Sequence, residues 1–254
     1  MPKISFVTST FNEERNIAAC LDSVKDFVNE IILVDGSSTD KTIEIAKKYG
    51  AKIKVTNNPP IFLINRQKAI DMATGDWLLN LDADERATPE LAQEIQRIVK
   101  EDDGKINGYF IPRKNWFVGR FLMKGGQYPD YQLRLYKNKK VHFELKDVHE
   151  QAIVEGETGH LKEAMLHYPY KDFSAYFLKW NRYNDVFATQ IKEGRRKENF
   201  SRKIWDFFDY LFFKPVWWFF WTQIRHKGIY DLWSGVIFSF FSGLRFPASY
   251  LKSL

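Results

Sequence analysis

The chain has 254 residues, of which 44% are hydrophobic and 28% charged, and its formal net charge is +6. These values are those of a globular protein with one large domain, or with one domain and an appendage. The single cysteine, Cys20, excludes an internal disulfide and a cysteine-based zinc cluster. The modest basic excess suits an anionic partner such as a nucleotide, a phospholipid head group or a nucleic acid, without choosing among them.

Strands and helices alternate through the first hundred residues. The apolar segments predict strands at 3–9, 30–35, 51–56 and 76–82. The predicted helices that follow them are 12–27 with Asn12 as N-cap, 41–50, 61–75 and 88–100 with Thr88 as N-cap. This βαβ alternation predicts an α/β fold with a mostly parallel sheet and helices on both of its faces.

The pattern changes after about residue 105. Strands are predicted at 108–117 and 131–138 on either side of a glycine-rich loop, and a helix is predicted over 173–192. We therefore expect a first domain of residues 1–170, a helical extension with a basic connector over 171–200, and an aromatic-rich helical segment over 201–254.

Three polar, acidic loops follow predicted strands. They read TSTFNEE, VDGSSTD and LDADE. In the last, an apolar run stops at Asp82, Asp84 and Glu85, although like charges repel and their desolvation is costly. A cation is therefore expected there, and it could be a metal ion or a basic side chain; the alternative is a set of solvated acids. Because no G-x-G-x-x-G or P-loop motif occurs, a dinucleotide-binding domain and a P-loop are excluded.

The segments TFNEERNI, VDGSSTDKT and NRQKAIDMATGDWLLNLDADE resemble, in order and spacing, three successive signatures of family 2 inverting glycosyltransferases with the GT-A fold. The resemblance covers roughly residues 3–170 and implies a Rossmann-like sheet. The later segments PDYQLRLYKN, VHE and HYPY resemble lipopolysaccharide-core β-glucosyltransferases. The resemblance implies transfer of a sugar from a nucleotide-sugar donor, foremost a UDP-sugar, to a saccharide or lipid-linked acceptor in cell-envelope synthesis.

The resemblance also implies a divalent metal, Mg²⁺ or Mn²⁺, that neutralises the charge developing on the leaving nucleoside diphosphate. Asp84 would bind this metal, and Asp82 would help through the metal, a water or the ribose. His167 is a candidate third ligand at the end of an apolar strand. The alternatives are acids that are solvated or that precede the 88–100 helix, and a purely structural histidine.

The donor contacts implied by the resemblance lie in the same loops. Glu13 and Asp35 would face the base and ribose, and Arg66 would meet the base or the diphosphate. The backbone from Thr8 through Thr10 to Phe11 would form the floor. For Asp35 a turn-capping role is the alternative. Asp35 is followed by Gly36, where the family commonly has a second acid.

An inverting transfer needs one carboxylate as base for the acceptor hydroxyl. Glu150, which follows His149, is the first candidate for this base, and Asp130 is its rival. The alternative role for Glu150 is that of an acid in the first turn of a helix.

The segment 201–254 is rich in tryptophan and phenylalanine, but charges and Pro215 interrupt it too often for a spanning helix of about 20 apolar residues. It predicts helices that lie in a membrane interface. The alternatives are a helical cap on the catalytic domain and a dimer interface. The N-terminal residues predict no secretory signal, so we expect a cytoplasmic protein peripheral to the inner face of the cell membrane.

Two other functions compete with glycosyl transfer. A nucleotidyltransferase also sets carboxylates and Mg²⁺ at strand ends, but it usually carries a glycine-rich basic loop after the first strand. A non-catalytic module that binds a membrane surface is the other alternative. We expect no nucleic-acid partner, because the basic excess is diffuse and the acidic loops oppose it.

Overall fold

The structure is a computed structural model that describes residues 2–145, 151–195 and 199–254. These residues form two compact units. The first consists of the chain up to residue 113 together with residues 130–167. The second consists of residues 114–129 and 168–254, so that the glycine-rich segment after residue 113 groups with the C-terminal helices.

Twelve short or medium strands are present in the described residues. In chain order they are β1 (Ile4–Thr10), β2 (Glu30–Asp35), β3 (Lys52–Val55), β4 (Trp77–Asn80), β5 (Glu85–Arg86), β6 (Ile106–Phe117), β7 (Arg120–Leu122), β8 (Asp130–Lys137), β9 (Val141–His142), β10 (Ile153–Val154), β11 (Glu157–His160) and β12 (Met165–His167).

Eight α-helices are present in the described residues, and shorter helical segments connect some of them. The α-helices are α1 (Ile17–Asp22), α2 (Thr42–Lys48), α3 (Leu63–Asp71), α4 (Pro89–Lys100), α5 (Phe173–Arg195), α6 (Phe200–Phe208), α7 (Lys214–Phe220) and α8 (Leu232–Ser253). The connecting segments are the π-helical Asp209–Phe213 and Trp221–Arg225 and the 3₁₀-helical Gly228–Asp231.

The sheet of the first unit has the strand order β3-β2-β1-β4-β8-β6-β12-β5, and β11 pairs with β6. The strands from β3 to β4 are parallel neighbours, as the βαβ alternation predicted. Antiparallel pairing begins at β8, which lies between β4 and β6. The predicted α/β fold is therefore confirmed, with a parallel half that carries the helices and an antiparallel extension.

Helices cover both faces of the sheet. Successive side chains of a strand point to opposite faces, so one strand contributes to the buried cluster on each face. In β4, Trp77 and Leu79 join one buried cluster and Leu78 joins the other. Buried residues of α1, α2 and α4 belong to the cluster of Trp77, and those of α3 belong to the cluster of Leu78. The prediction of helices on both faces is confirmed.

The first helix is shorter than predicted, since α1 begins at Ile17 and its N-cap is Asn16. The prediction of Asn12 as N-cap was wrong. The φ of Asn12 is +56°, its backbone N–H donates to Ser38 Oγ at 2.8 Å, and its side-chain oxygen accepts from Thr39 N at 2.8 Å. These bonds to the loop after β2 hold residue 12 outside helical geometry.

The prediction for the fourth helix is confirmed. Thr88 Oγ1 accepts a hydrogen bond from Leu91 N at 3.1 Å, and Pro89 is the first residue of α4. Threonine as N-cap satisfies one of the free N–H groups of the first turn, and proline at the first position lacks an N–H to satisfy.

The second unit has an aromatic core. Phe117, Leu122 and Tyr176 are buried together, and Phe238 and Phe241 of α8 pack against them. The predicted glycine-rich loop contains a tight hairpin, in which Trp116 of β6 pairs with Phe121 of β7. The turn residues 118 and 119 both have positive φ, as the two-residue turns of such hairpins require.

The predicted C-terminal, aromatic-rich helical segment is confirmed by α6, α7 and α8. Within the described residues, none of the helices combines the length and the apolar character needed to cross a bilayer.

Candidate active site

The carboxyl ends of β1 and β4 meet at one edge of the sheet, because the two strands are parallel neighbours with Val7 opposite Asn80. The loop after β1 carries Glu13, and the loop after β4 carries Asp82 and Asp84. Ligands of such sheets bind outside the carboxyl ends of the strands. The acidic loops that were far apart in sequence therefore belong to one edge.

Residues 82–85 form a tight turn that is closed by its own side chain. Glu85 N donates to Asp82 O at 2.9 Å, and Asp82 N donates to Glu85 Oε2 at 3.0 Å. Glu85 is fully buried, whereas the side chain of Asp82 is 35% exposed. The turn thus holds one carboxylate in the interior and another toward the outside.

Three arginines from distant parts of the chain surround these two carboxylates. Arg134 of β8 donates to Asp82 Oδ2 at 2.5 Å and to Glu85 Oε1 at 2.8 Å. Arg66 of α3 donates to the other oxygen of Asp82. Arg113 of β6 donates to Glu85 Oε1 at 2.9 Å. The cation expected at the end of β4 is therefore present for Asp82 and Glu85 as basic side chains.

Asp130, the rival candidate for the base, belongs to the same network. One of its oxygens accepts from Arg113 Nη2 at 2.7 Å and from Nε at 2.9 Å, and the other accepts from Gln132 at 2.8 Å. We call these six charged residues the arginine–carboxylate network: Asp82, Glu85 and Asp130 with Arg66, Arg113 and Arg134. Its formal charges balance.

The charges of the network shift the ionisation of its members. Desolvation on its own raises the pKa of Asp82, but Arg134 and Arg66 outweigh this effect and hold that pKa well below its usual range. Burial works to lower the pKa of Arg134, and the carboxylates of Asp82 and Glu85 more than reverse it. Asp82 is therefore ionised at neutral pH.

Asp84 lies outside the network and faces His167. The distance from His167 Nε2 to Asp84 Oδ2 is 3.4 Å. A carboxylate and an imidazole are both ligand types for divalent ions. In residues 2–145, 151–195 and 199–254, no three His, Cys, Asp or Glu side chains are grouped closely enough to hold a metal on their own. The pair by itself offers two ligand atoms, which is only part of the coordination shell of a divalent ion.

Glu13 is electrostatically coupled to the same edge. Burial raises its pKa, and the neighbouring charges of Asp84 and Asp82 raise it further, against a hydrogen bond from Asn16 that lowers it. Glu13 therefore lies close enough to Asp84 and Asp82 for their charges to act on it, which agrees with the predicted convergence of the loops after β1 and β4.

The other predicted donor contacts of the first unit are buried. Asp35 accepts hydrogen bonds from Thr10 Oγ1 at 2.8 Å and from Ser38 N at 2.6 Å and Ser38 Oγ at 2.7 Å. This is the turn-capping arrangement that was the alternative for Asp35. Thr8 is fully buried, and its hydroxyl has no hydrogen-bond partner among the described residues. Contact of Thr8, Thr10 and Asp35 with a nucleotide stays a prediction.

A cavity of about 330 Å³ opens beside the network. Arg66, Arg113, Arg134 and Asp82 form its charged wall. Phe62 and Phe143 lie near Arg66, whose guanidinium carbon is 5.2 Å and 6.0 Å from the two ring centroids. The cavity thus offers guanidinium groups and aromatic rings, which suit a phosphate and a flat base.

Two of the arginines that line this cavity were not singled out in the sequence. Arg113 and Arg134 each lie within a strand, in the mixed apolar and polar segments GYFIPRKNWF and YQLRLYKN, where neither stands out from the other charged residues. Their partner Glu85 was read as one of three loop acids, although it is the buried one. The first candidate for the base, Glu150, lies outside the described residues.

Comparison with known proteins shows what the chain is similar to. Residues 5–150, more than half of the chain, match the family described as Glycosyl transferase family 2. An uncharacterized glycosyltransferase of Rickettsia conorii is 30% identical over 96% of this chain and 88% of its own length. The lipopolysaccharide core biosynthesis glycosyltransferase LpsC of Rhizobium meliloti is 25% identical over 96% of this chain and 92% of its own length.

Among solved structures, that of residues 1–349 of S. aureus TarS is similar to this chain, with 17% sequence identity and a TM-score of 0.47. The match covers 99% of this chain and 92% of the TarS chain.

Replacement of Arg134 with methionine tests the network. The variant should lose about 3–5 kcal/mol in free energy of unfolding, because it leaves the buried Glu85 with one cation fewer. Urea unfolding at pH 7 measures this loss. The matched control is Arg97→Met, since Arg97 lies 4.0 Å from Glu101 on the exposed side of α4 and should cost less than about 1 kcal/mol. Equal losses in the two variants would contradict the account.

Proposed function

Because the chain belongs to glycosyl transferase family 2, we propose that it is an inverting, metal-dependent glycosyltransferase that uses a nucleotide-sugar donor, foremost a UDP-sugar. The observation that carries this proposal is the composition of the edge formed by β1 and β4. Asp82 and Asp84 follow the end of β4, where Asp84 meets His167 of β12 and Asp82 meets Arg66 of α3 and Arg134 of β8. The family membership favours glycosyl transfer over nucleotidyl transfer and over a non-catalytic membrane module.

The donor diphosphate takes its charge compensation from two kinds of group. Asp84 and His167 would hold Mg²⁺ or Mn²⁺, with diphosphate oxygens completing the coordination. When bound, this ion stabilises the charge that develops on the leaving nucleoside diphosphate. Arg66 contacts the diphosphate or the base from the cavity wall. Asp82 keeps Arg66 and Arg134 oriented, because its two oxygens accept from both guanidinium groups.

The transfer itself requires one base. A carboxylate of this chain takes the proton of the acceptor hydroxyl, and the hydroxyl oxygen attacks the anomeric carbon opposite the diphosphate. The bond from that carbon to the diphosphate oxygen breaks, and its electron pair leaves with the nucleoside diphosphate. Glu150 is the first candidate for the base. Asp130 is less suited, because its oxygens accept hydrogen bonds from Arg113 and Gln132.

The acceptor is a saccharide or a lipid-linked saccharide, and lipopolysaccharide core synthesis is the proposed setting. The similarity to LpsC, whose name assigns it to lipopolysaccharide core biosynthesis, supports this setting. The properties of the second unit give a separate physical reason to expect an acceptor at a membrane.

The second unit carries an exposed apolar stripe along the helical run from α6 to residue 225. Its side chains are separated by three or four residues and are all exposed: Trp205, Phe208, Phe212, Val216, Phe220 and Ile224. A spacing of four residues overshoots one turn of an α-helix by about 40°. The two π-helical segments have wider turns, which reduces this drift.

The charges near this exposed apolar stripe favour binding to an anionic surface. The acids of the run are engaged within the unit, since Asp206 pairs with Arg202 at 3.2 Å and Asp209 with Lys214 at 2.9 Å. Lys203, Arg225 and Lys227 are exposed and pair with no carboxylate in the described part of the chain. Apolar rings beside free cations suit the head-group region of a membrane, so the proposed location is the inner face of the cell membrane.

Donor binding provides the test of the proposed function. Calorimetric titration with UDP, GDP and their sugars should detect a complex that tightens at least tenfold when Mn²⁺ is added. Asp84→Asn should lose this metal dependence, because it removes a charged ligand. The control Asp103→Asn changes an exposed acid and should keep it. Equal affinity with Mn²⁺ and with a chelator would contradict metal dependence, and no binding of any donor would contradict the function.

The identity of the base is tested by Glu150→Gln and Asp130→Asn. If Glu150 is the base, Glu150→Gln should lower sugar transfer to lipopolysaccharide core acceptors by about 100-fold or more and leave UDP binding unchanged. NMR of the product should show the inverted anomer. Full transfer by Glu150→Gln would eliminate it, and a selective loss in Asp130→Asn would assign the base to Asp130.

Membrane association is tested by flotation with vesicles that contain phosphatidylglycerol. The double variant Phe212→Ser, Val216→Ser should lower vesicle binding about tenfold or more, because two apolar side chains no longer enter the interface. Val55→Ser removes an exposed apolar side chain from the first unit and serves as control. Undiminished binding of the double variant would show that the exposed apolar stripe is not the membrane contact.

A further inference from the structure

A second cavity lies wholly within the helical unit and has no part in the proposed transfer. It measures about 300 Å³ and is bounded by α5, by α6 with the π-helical segment after it, and by α8. Its lining residues are Phe187, Gln190, Ile191, Gly194, Arg195, Asp206, Tyr210, Arg245, Phe246 and Ser249. Two arginines and one aspartate are the charged members of this set.

Arg245 is surrounded by aromatic rings and not by acids. Its guanidinium carbon lies 5.4 Å from the ring centroid of Phe187, 5.2 Å from that of Trp218 and 4.9 Å from that of Phe246. No carboxylate of the described residues forms an ion pair with it, and burial lowers its pKa. The rings stabilise the positive charge, but an aromatic face does not neutralise it and offers no oxygen for the guanidinium N–H donors.

Arg195 brings a second cation to the same cavity. Its guanidinium carbon lies 4.8 Å above the ring of Tyr250. Its Nε is buried, and it has no hydrogen-bond partner among the described residues. A buried donor without an acceptor costs free energy, and two cations on one cavity repel each other. An anion bound in the cavity would accept from the buried donor and would offset the repulsion between the two arginines.

Asp206 does not neutralise these two arginines. Among the described residues it is the only carboxylate in the lining; it is buried, and its Oδ1 lies 3.2 Å from Arg202 Nε. Arg202 does not line the cavity, so the ion pair of Asp206 is made with a cation outside the lining, and Asp206 Oδ1 is buried without a hydrogen-bond partner among the described residues. With two arginines and one aspartate, the described lining keeps a formal charge of +1.

We propose that this cavity binds a phosphate group through Arg195 and Arg245. The planar fork of a guanidinium matches two phosphate oxygens, so arginine is the side chain best suited to this anion. Phe187, Ile191 and Phe246 provide apolar walls for the carbon atoms attached to the phosphate. A volume of about 300 Å³ lies at the small end of ligand sites and suits a phosphate ester of a short polyol.

The phosphate has two sources with the same chemistry, a soluble phosphate ester and the head group of a phospholipid. Both are recognised by the same two guanidinium groups. The proposal does not depend on the donor site, because every residue that it uses lies in the second unit.

Two binding arms distinguish the sources. In the soluble arm, glycerol 3-phosphate is titrated calorimetrically into the full-length protein. In the membrane arm, flotation compares vesicles of phosphatidylglycerol with vesicles of phosphatidylcholine. Arg245→Gln and Arg195→Gln should each weaken binding about tenfold or more in the arm that supplies the natural source. The control Arg182→Gln removes the same charge from an exposed position of α5 that does not line the cavity, and it should change binding less than twofold.

Chemical modification of the wild-type protein avoids any effect of substitution on folding. Phenylglyoxal modifies guanidinium groups, and mass spectrometry assigns each modified arginine. Glycerol 3-phosphate, or phosphatidylglycerol vesicles, should slow the modification of Arg195 and Arg245 at least fivefold and leave that of Arg182 unchanged.

The proposal is overturned if neither arm shows binding that the cavity variants weaken more than Arg182→Gln does, or if Arg245 and Arg182 are protected equally. Either result would leave the donor titrations untouched, so the two proposals fail independently.

Discussion

The burial of Glu85 is the constraint on which the arginine–carboxylate network of the candidate active site depends. A carboxylate that is fully removed from water persists as an ion only beside compensating charge and hydrogen bonds. Arg113 and Arg134 provide that charge from β6 and β8, and Arg134 reaches Asp82 as well. The turn after β4 is thereby fixed to the antiparallel half of the sheet. A polar network of this kind orients its members more than it stabilises the fold, because desolvation offsets much of the attraction.

The network has a consequence for the proposed chemistry. Both oxygens of Asp82 accept from guanidinium groups, whereas Asp84 two residues later faces His167. Two acids that look equivalent in the segment LDADE are thus assigned different tasks by their surroundings. In the proposed mechanism, Asp82 would orient the arginines toward the diphosphate, and Asp84 would be left to bind the divalent ion. The division follows from which charges each side chain meets, and the ionisation of Glu13 responds to both acids.

In the second unit, in contrast to the arginine–carboxylate network, several cations are not paired with carboxylates of the described residues. Three of its acids, Asp206, Asp209 and Asp231, are engaged internally, the last by the backbone N–H groups of residues 123 and 124 at 3.0 Å and 2.7 Å. Several of its cations are left beside exposed or stacked aromatic rings. Rings stabilise a cation without neutralising it. The unit therefore presents positive charge and apolar surface together, which relates the proposed membrane contact to the proposed phosphate cavity.

The amino-acid sequence by itself determined the features that arise from local rules. The alternation of apolar segments predicted the parallel strands β1 to β4, Thr88 with Pro89 predicted the start of α4, and the signatures predicted the family, because each depends on neighbouring residues. Tertiary structure alone decided that Asn12 is held by the loop at Ser38, that residues 114–129 join the helical unit, and that Arg113 and Arg134 meet Glu85. These contacts join residues far apart in the chain, and burial, which makes them strong, exists only once the sheet has assembled.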